Sequence, residues 1–144
     1  MGLNINDLEV VDATFTRELT KPTVFWDLSL YSGLNNYNAK NKLVGTSWLY
    51  TNYYFKPNSD GKIFWETIVD ITAYVDIRIG VLDMSANTIS YYTYTIEPGV
   101  VNTFNSYFYN LDPSKNYAVC WMSVHTGFNI IHFSGTAEIG HKYI

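Results

Sequence analysis

The sequence predicts an all-β protein: a two-sheet antiparallel Greek-key β-sandwich, or a jelly-roll-like variant of it, with eight or nine strands in a single domain spanning residues 1–144. Three observations lead there. Every odd position from Ile63 to Val81 is apolar except Thr67, while the even positions include Glu66, Asp70, Thr72, Asp76 and Arg78; period two over such a length means strand with one face buried. Stretches rich in Tyr, Thr, Ile and Val recur at short spacing between turn-forming clusters, and the long Ala/Leu/Glu/Lys patterns of helices are missing. Residues 111–117 read as a turn that delivers a tyrosine to the head of an apolar strand.

In chain order, strands are expected at 8–17 and 23–31. Residues 32–47 hold Gly33, Asn35, Asn36, Asn38, Asn41 and Gly45 with Lys40 and Lys42, and read as a long polar loop of the kind that often carries function. A strand at 48–56 precedes Pro57, Asn58, Ser59, Asp60 and Gly61, a turn with a strong Asp-Gly signal. The period-two run is too long for one ordinary strand, so it divides near 70–73 into strands 62–70 and 73–82 that cross between sheets. After a loop at 83–87 come strands at 89–96 and 100–109, joined by a turn at Glu97, Pro98 and Gly99. Strand 117–124, a tight turn at 125–127 and strand 128–135 complete the set, with 137–139 as an extension of the last. There is no internal repeat, low-complexity segment or linker.

The segment Leu111-Asp112-Pro113-Ser114-Lys115-Asn116-Tyr117 combines a proline that presets φ with residues whose side chains bond nearby backbone. Its Leu-x-Pro-x-x-x-Tyr spacing resembles the tyrosine corner of fibronectin type III and immunoglobulin-like β-sandwiches. That resemblance covers about a dozen residues and concerns fold alone. It implies that the Tyr117 ring packs inside while its hydroxyl reaches back to upstream backbone. Strand alternation then turns Val119 and Trp121 inward and Ala118, Cys120 and Met122 outward. The outward three are apolar, so either another segment covers them, the N-terminal strand or the 32–47 loop being expected, or they form an interaction surface. A fibronectin-like arrangement further implies that strands 73–82, 117–124 and 128–135 share a sheet. Tyr74, Asp76, Arg78, Met122 and His132 would then make one mixed outer patch.

Composition narrows the partners. Charged residues are only 15% of the chain, and thirteen tyrosines and fourteen asparagines supply much of its polarity. The net charge is −4 with no basic cluster, so nucleic acid is not an expected partner, since phosphate neutralisation needs a lysine/arginine stripe. No apolar run approaches the roughly 18 residues that span a bilayer. Residues 1–6 lack the basic region and apolar core of a signal peptide, and Asn6 departs from the myristoylation pattern. The charge-poor, Asn/Tyr/Thr-rich composition nonetheless suits a secreted or cell-surface protein, with a cytoplasmic or virion location as the alternative. Cys120, the one cysteine, excludes an intrachain disulfide and a Cys-based zinc site, and its apolar neighbours suit a buried thiol.

No catalytic motif is found: no Gly-x-Ser-x-Gly elbow, His-Glu-x-x-His helix, P-loop or dinucleotide fingerprint. His125, His132 and His141 lack ligand spacing. Asn58 to Gly61 match part of a calcium loop but without the later bidentate glutamate, and a hairpin turn explains them better. No cofactor or metal is expected. The exposed chemistry lies in tyrosines. Consecutive Tyr53-Tyr54 and Tyr91-Tyr92 must point to opposite faces of a strand, and Tyr107 and Tyr109 cannot all join them inside. Tyrosine offers rigid amphipathic area at low entropy cost. Tyr54 and Tyr92 therefore join the patch residues as candidate ligand contacts. The leading reading is a non-catalytic extracellular binding module for a glycan or a protein surface. The second is a structural or assembly subunit, such as a virion or appendage component, forming homo-oligomers. A carboxylate-dependent hydrolase using Glu66 with Asp70 or Asp76 ranks third.

Overall fold

The computed structural model describes residues 2–30, 37–44, 47–71, 75–97, 99–125 and 132–142. In chain order the strands are β1 (Leu3–Asn4), β2 (Glu9–Asp12), β3 (Val24–Phe25), β4 (Tyr37–Val44), β5 (Leu49–Tyr50), β6 (Tyr53–Tyr54), β7 (Ile63–Ile71), β8 (Val75–Asp83), β9 (Thr88–Thr95), β10 (Val100–Tyr109), β11 (Tyr117–His125) and β12 (His132–Gly140). Short 3-10 turns at Ile5–Asp7 and Leu28–Leu30 are the helical elements among the described residues. One five-stranded sheet has the order β1-β10-β7-β12-β4, the other β2-β9-β8-β11-β5, and β3 and β6 form a small pair. Pairing within the two large sheets is antiparallel except for the short β1–β10 contact.

The period-two run does divide where its length requires: β7 belongs to the first sheet and β8 to the second. Their odd-numbered side chains meet between the sheets. Trp65, Val69, Ile77, Ile79 and Val81 pack there with Phe108 of β10, Val119 and Trp121 of β11 and Ile139 of β12 in one buried cluster. Each large side chain so buried stabilises the fold by about 1.5–3 kcal/mol relative to exposure. Thr67, the exception in the pattern, is buried as well, and its hydroxyl oxygen accepts a hydrogen bond from Trp121 Nε1 at 3.0 Å.

Tyr117 is 4% exposed, and its hydroxyl accepts a hydrogen bond from Asp112 N at 3.0 Å. Asp112 in turn takes hydrogen bonds from the backbone N–H and hydroxyl of Ser114, which hold its carboxyl below the ordinary range. The outward side of β11 is covered. Ala118, Cys120 and Met122 pack with Leu82, Ile89, Tyr91, Trp48 and Tyr50 in a second buried cluster, flanked by Val11 and Ala13. The chain that follows β2, residues 13–21, forms a strap against this face. It is tied down by Ala13 N donating to Asn87 O, by Tyr50 Oη donating to Thr14 O, and by Lys21 Nζ donating to Met84 O.

Several expectations are corrected. The 32–47 stretch is not one loop: Tyr37–Val44 form β4, an edge strand paired along its length with β12. Residues 23–30 do not make one continuous strand, and Tyr31 lies outside the described residues. Val24–Phe25 pair with Tyr53–Tyr54, and the chain then enters a 3-10 turn because Asp27 Oδ1 accepts hydrogen bonds from the backbone N–H and hydroxyl of Ser29. The last strand is described from His132 to Gly140, which takes in the extension expected at 137–139, while residues 128–131 lie outside the described residues. It lies in the first sheet, held by β7 on one side and β4 on the other, and not beside β8 and β11. Most of the turn expected at 125–127 lies outside the described residues.

Candidate functional site

At the edge of the second sheet β2 pairs with β9 through Glu9 opposite Tyr91, and no further. The chain before Glu9 is drawn away by the 3-10 turn at Ile5–Asp7, whose start Asn4 caps by accepting from Asn6 N at 3.1 Å. Beyond that departure point β9 continues as Tyr92 and Thr93. The gap left between them is a groove of about 280 Å³ lined by Asp7, Leu8, Glu9, Tyr91, Tyr92 and Thr93.

The two tyrosines at this groove face opposite ways. Tyr91 lies on the outer face, buried, its hydroxyl donating to Glu9 Oε2 at 2.6 Å. That bond, more than burial, raises the phenol's pKa. The Arg78 guanidinium carbon sits 4.7 Å from the Tyr91 ring centroid, a cation–π distance, and the Trp48 ring is 5.6 Å from the same ring. Arg78 Nε is buried and has no hydrogen-bond partner among the described residues. Tyr92 is 45% exposed. Its ring meets Tyr94 edge-on at 4.8 Å, and Tyr94 rests on Trp65 at 5.9 Å and Phe104 at 4.6 Å. The exposed ring is thus backed by a ladder of aromatics reaching into the core.

Part of the predicted patch is together. Arg78 lies between Thr93 of β9 and Met122 of β11 in register, and Asp76 between Thr95 and Val124. Asp76, Arg78 and Met122 therefore share the outer face, although Met122 is 8% exposed and largely covered. Among the described residues the ion pair is Lys115–Asp83, so the Asp76–Arg78 neighbours are not joined as one. Tyr74 lies outside the described residues. His132 is not part of the patch, because β12 stands in the other sheet with His132 opposite Val44. Tyr54 is remote from the groove: it is half-buried on β6 with its ring 5.7 Å from Phe25.

Asp7, Glu9, Tyr91 and Thr93 were not singled out from the sequence. For Tyr91 the signal was present, since one member of a consecutive tyrosine pair must leave the core. For Asp7 and Glu9 no local signal exists, because β2 meets β9 across some eighty residues of chain. Among the described residues no group of three or more His, Cys, Asp or Glu is placed to hold a metal ion, and no helix is long and apolar enough to cross a membrane. Compared with protein-family models, curated proteins and solved structures, the chain matches none.

Proposed function

We propose that this chain is a non-catalytic binding module that takes a neutral glycan in the groove between residues 7–9 and β9. One observation carries the reading: where β2 leaves β9, one open groove is bordered by the half-exposed Tyr92 ring, backed by Tyr94 on one face of β9, and by Asp7, Glu9 and Thr93, of which Glu9 and Thr93 lie on the other face. The ring gives a flat surface on which the C–H face of a sugar stacks, at little entropic cost because Tyr94 already holds it. Asp7, Glu9 and Thr93 supply acceptors for sugar hydroxyls. The carboxylates disfavour an acidic sugar by like-charge repulsion. Glu9, fixed by Tyr91, needs no reorganisation before it accepts.

The low charge and the Asn/Tyr/Thr-rich composition support export, where glycans are met. For the architecture we propose a Greek-key sandwich with 111–117 as a tyrosine corner of the fibronectin type III kind, supported by the bond from Asp112 N to the Tyr117 hydroxyl. The assembly reading is favoured by a separate observation, the absence of any charged residue from Val100 to Tyr109.

A glycan array followed by calorimetry on retained sugars tests the binding reading. Retention of a neutral oligosaccharide is expected, with loss of binding in Tyr92→Ala and weakening in Asp7→Asn. An array that retains no sugar, or retention that Tyr92→Ala leaves unchanged, overturns it.

A further inference from the structure

A guanidinium on a sheet face carries a permanent charge and a planar fork of N–H donors, which a carboxylate, a carbonyl or water must satisfy. Among the described residues nothing answers the donors of Arg78. Its Nε is buried and unpartnered, its other nitrogens make no hydrogen bond, and the ion pair is Lys115–Asp83 instead. The head is nonetheless fixed in place. Its carbon lies 4.7 Å from the Tyr91 ring centroid, and that ring is held in turn by Trp48 and by the bond from its hydroxyl to Glu9. A donor fork that is already held in position binds an acceptor at little entropic cost.

Register says where such an acceptor would come from. Arg78 stands directly beside Thr93 on the outer face of the second sheet, and Thr93 lines the groove. A ligand in the groove that extends by one strand spacing, about 4.8 Å, over this face reaches the guanidinium. The neighbouring charges say what kind of acceptor it is. Glu9, opposite Tyr91, and Asp76, opposite Thr95, lie on the same face to either side of Arg78. Between these carboxylates an anion meets more repulsion than attraction, whereas a neutral acceptor keeps the benefit of the donor fork. On the far side of Arg78 the face is apolar: Met122 is its partner in register, and half-buried Val124 follows on the same strand face.

We propose that the groove takes an N-acetylated sugar and that Arg78 is the residue that selects it. The acetamido carbonyl accepts from the Arg78 guanidinium, and the acetamido methyl meets the apolar margin at Met122 and Val124. This inference rests on the glycan reading above and adds the substituent that the sugar carries. A neutral carbonyl with a small apolar group attached is the chemistry that satisfies all three neighbours at once: the unanswered donors, the flanking carboxylates and the apolar margin. A plain hydroxyl in the same place is a weaker acceptor and brings no methyl to that margin, and a carboxylate substituent is opposed by Glu9 and Asp76.

Calorimetry on paired probes tests this: oligomers of N-acetylglucosamine and N-acetylgalactosamine against glucose and galactose oligomers of the same linkage, with wild type, Arg78→Met and Arg78→Lys. The readout is the ratio of acetylated to plain affinity within each protein. Wild type is expected to prefer one acetylated series by at least about tenfold. In Arg78→Met the ratio should fall to about one, and in Arg78→Lys, which keeps the charge but not the fork, it should lie between. Loosening of Tyr91 and Glu9 alone would lower both members of a pair together and leave the ratio as it was. Circular dichroism shows which variants fold, and Arg78→Lys keeps the test standing if Arg78→Met does not. Equal binding of both members by wild type, or a full preference in every folded Arg78 variant, overturns this inference and leaves the glycan reading in place. Retention of no sugar overturns both.

Discussion

Trp121 of β11 donates its indole Nε1–H to Thr67 of β7, 3.0 Å away, and so joins the two sheets by a hydrogen bond inside the core. Both residues are nearly inaccessible, at 1% and 3% exposure. The polar interruption in an otherwise apolar alternation is therefore the partner that a buried indole requires. Thr67→Val keeps the shape and strands the indole N–H, and should cost about 1–3 kcal/mol. Thr67→Ser, which retains the oxygen, should cost less. Urea denaturation of these variants, alone and in a Trp121→Phe background, checks the assignment: the Thr67→Val penalty should shrink when the indole is gone.

Gly61 and Gly99 both have positive φ, at +72° and +82°, but their surroundings differ. A Cβ on Gly61 would lie 2.4 Å from the Leu111 carbonyl oxygen, whereas one on Gly99 would meet nothing within 4 Å. Leu111 N donates to Gly61 O, so the Asp60-Gly61 turn is stitched to the segment that leads into Tyr117. Gly99→Ala should cost about 1–2 kcal/mol for the left-handed backbone alone. Gly61→Ala should cost distinctly more, because backbone must shift too. Thermal unfolding of the pair, side by side, reads the difference.

Cys120 is fully buried in the outer-face cluster that the 13–21 strap flanks, and burial pushes its thiol well above the ordinary range. The native protein should not react with a thiol reagent at neutral pH. Labelling should track global unfolding as denaturant is added. Reaction well before the main transition would mean that the strap opens by itself.

Asp83 accepts hydrogen bonds from Lys115 Nζ and from the backbone N–H groups of Ser85 and Ala86. Partial burial would raise its carboxyl, but these bonds outweigh it and hold the pKa below the ordinary 3.8, while the bond to Asp83 raises Lys115 above 10.5. A depressed carboxyl contributes stability that is present above 3.8 and is lost as pH falls through its folded value. A raised amine contributes stability present below 10.5 and lost as pH rises through its own. The pair is partly exposed, so its contribution is about 0–1 kcal/mol. In Asp83→Asn the alkaline loss should shrink and the acid loss should soften; alkaline sensitivity should persist in part, because Tyr37, Tyr50, Tyr91 and Tyr117 are raised as well. Acid sensitivity should persist in part, because hydrogen bonds from Ser29 and Ser114 also depress Asp27 and Asp112. Stability measured against pH at fixed ionic strength checks both limbs.

The sequence was most informative where burial writes a period into the chain. The alternation over 63–81 identified β7 and β8 and their inward faces, because a strand with one wet side must alternate. The proline and the small polar residues before Tyr117 located the head of β11 for a similar reason: turn chemistry is local. The residues Tyr37 to Val44 leave no such trace. An edge strand needs little apolar alternation, so its polar residues resembled a loop. At 27–30 a local competitor prevailed over β propensity, since Asp27 captures Ser29 before a strand forms.

The candidate site was less legible than the fold. Tyr92 was singled out because two adjacent tyrosines cannot share a face, but its groove exists only because β2 ends at Glu9 and the chain turns aside. Arg78, Asp76 and Met122 fall on one face by strand parity, which is a property of neighbouring residues. His132 was grouped with them by an assumed sheet partner, and partners are chosen by packing between distant segments. By itself, then, this sequence determined the strand faces, the turns and the uncharged nature of β10, since alternation and turn chemistry act over a few residues. Only the tertiary structure decided which strands are neighbours and what covers Cys120 and Met122, because each depends on contacts between residues far apart in the chain.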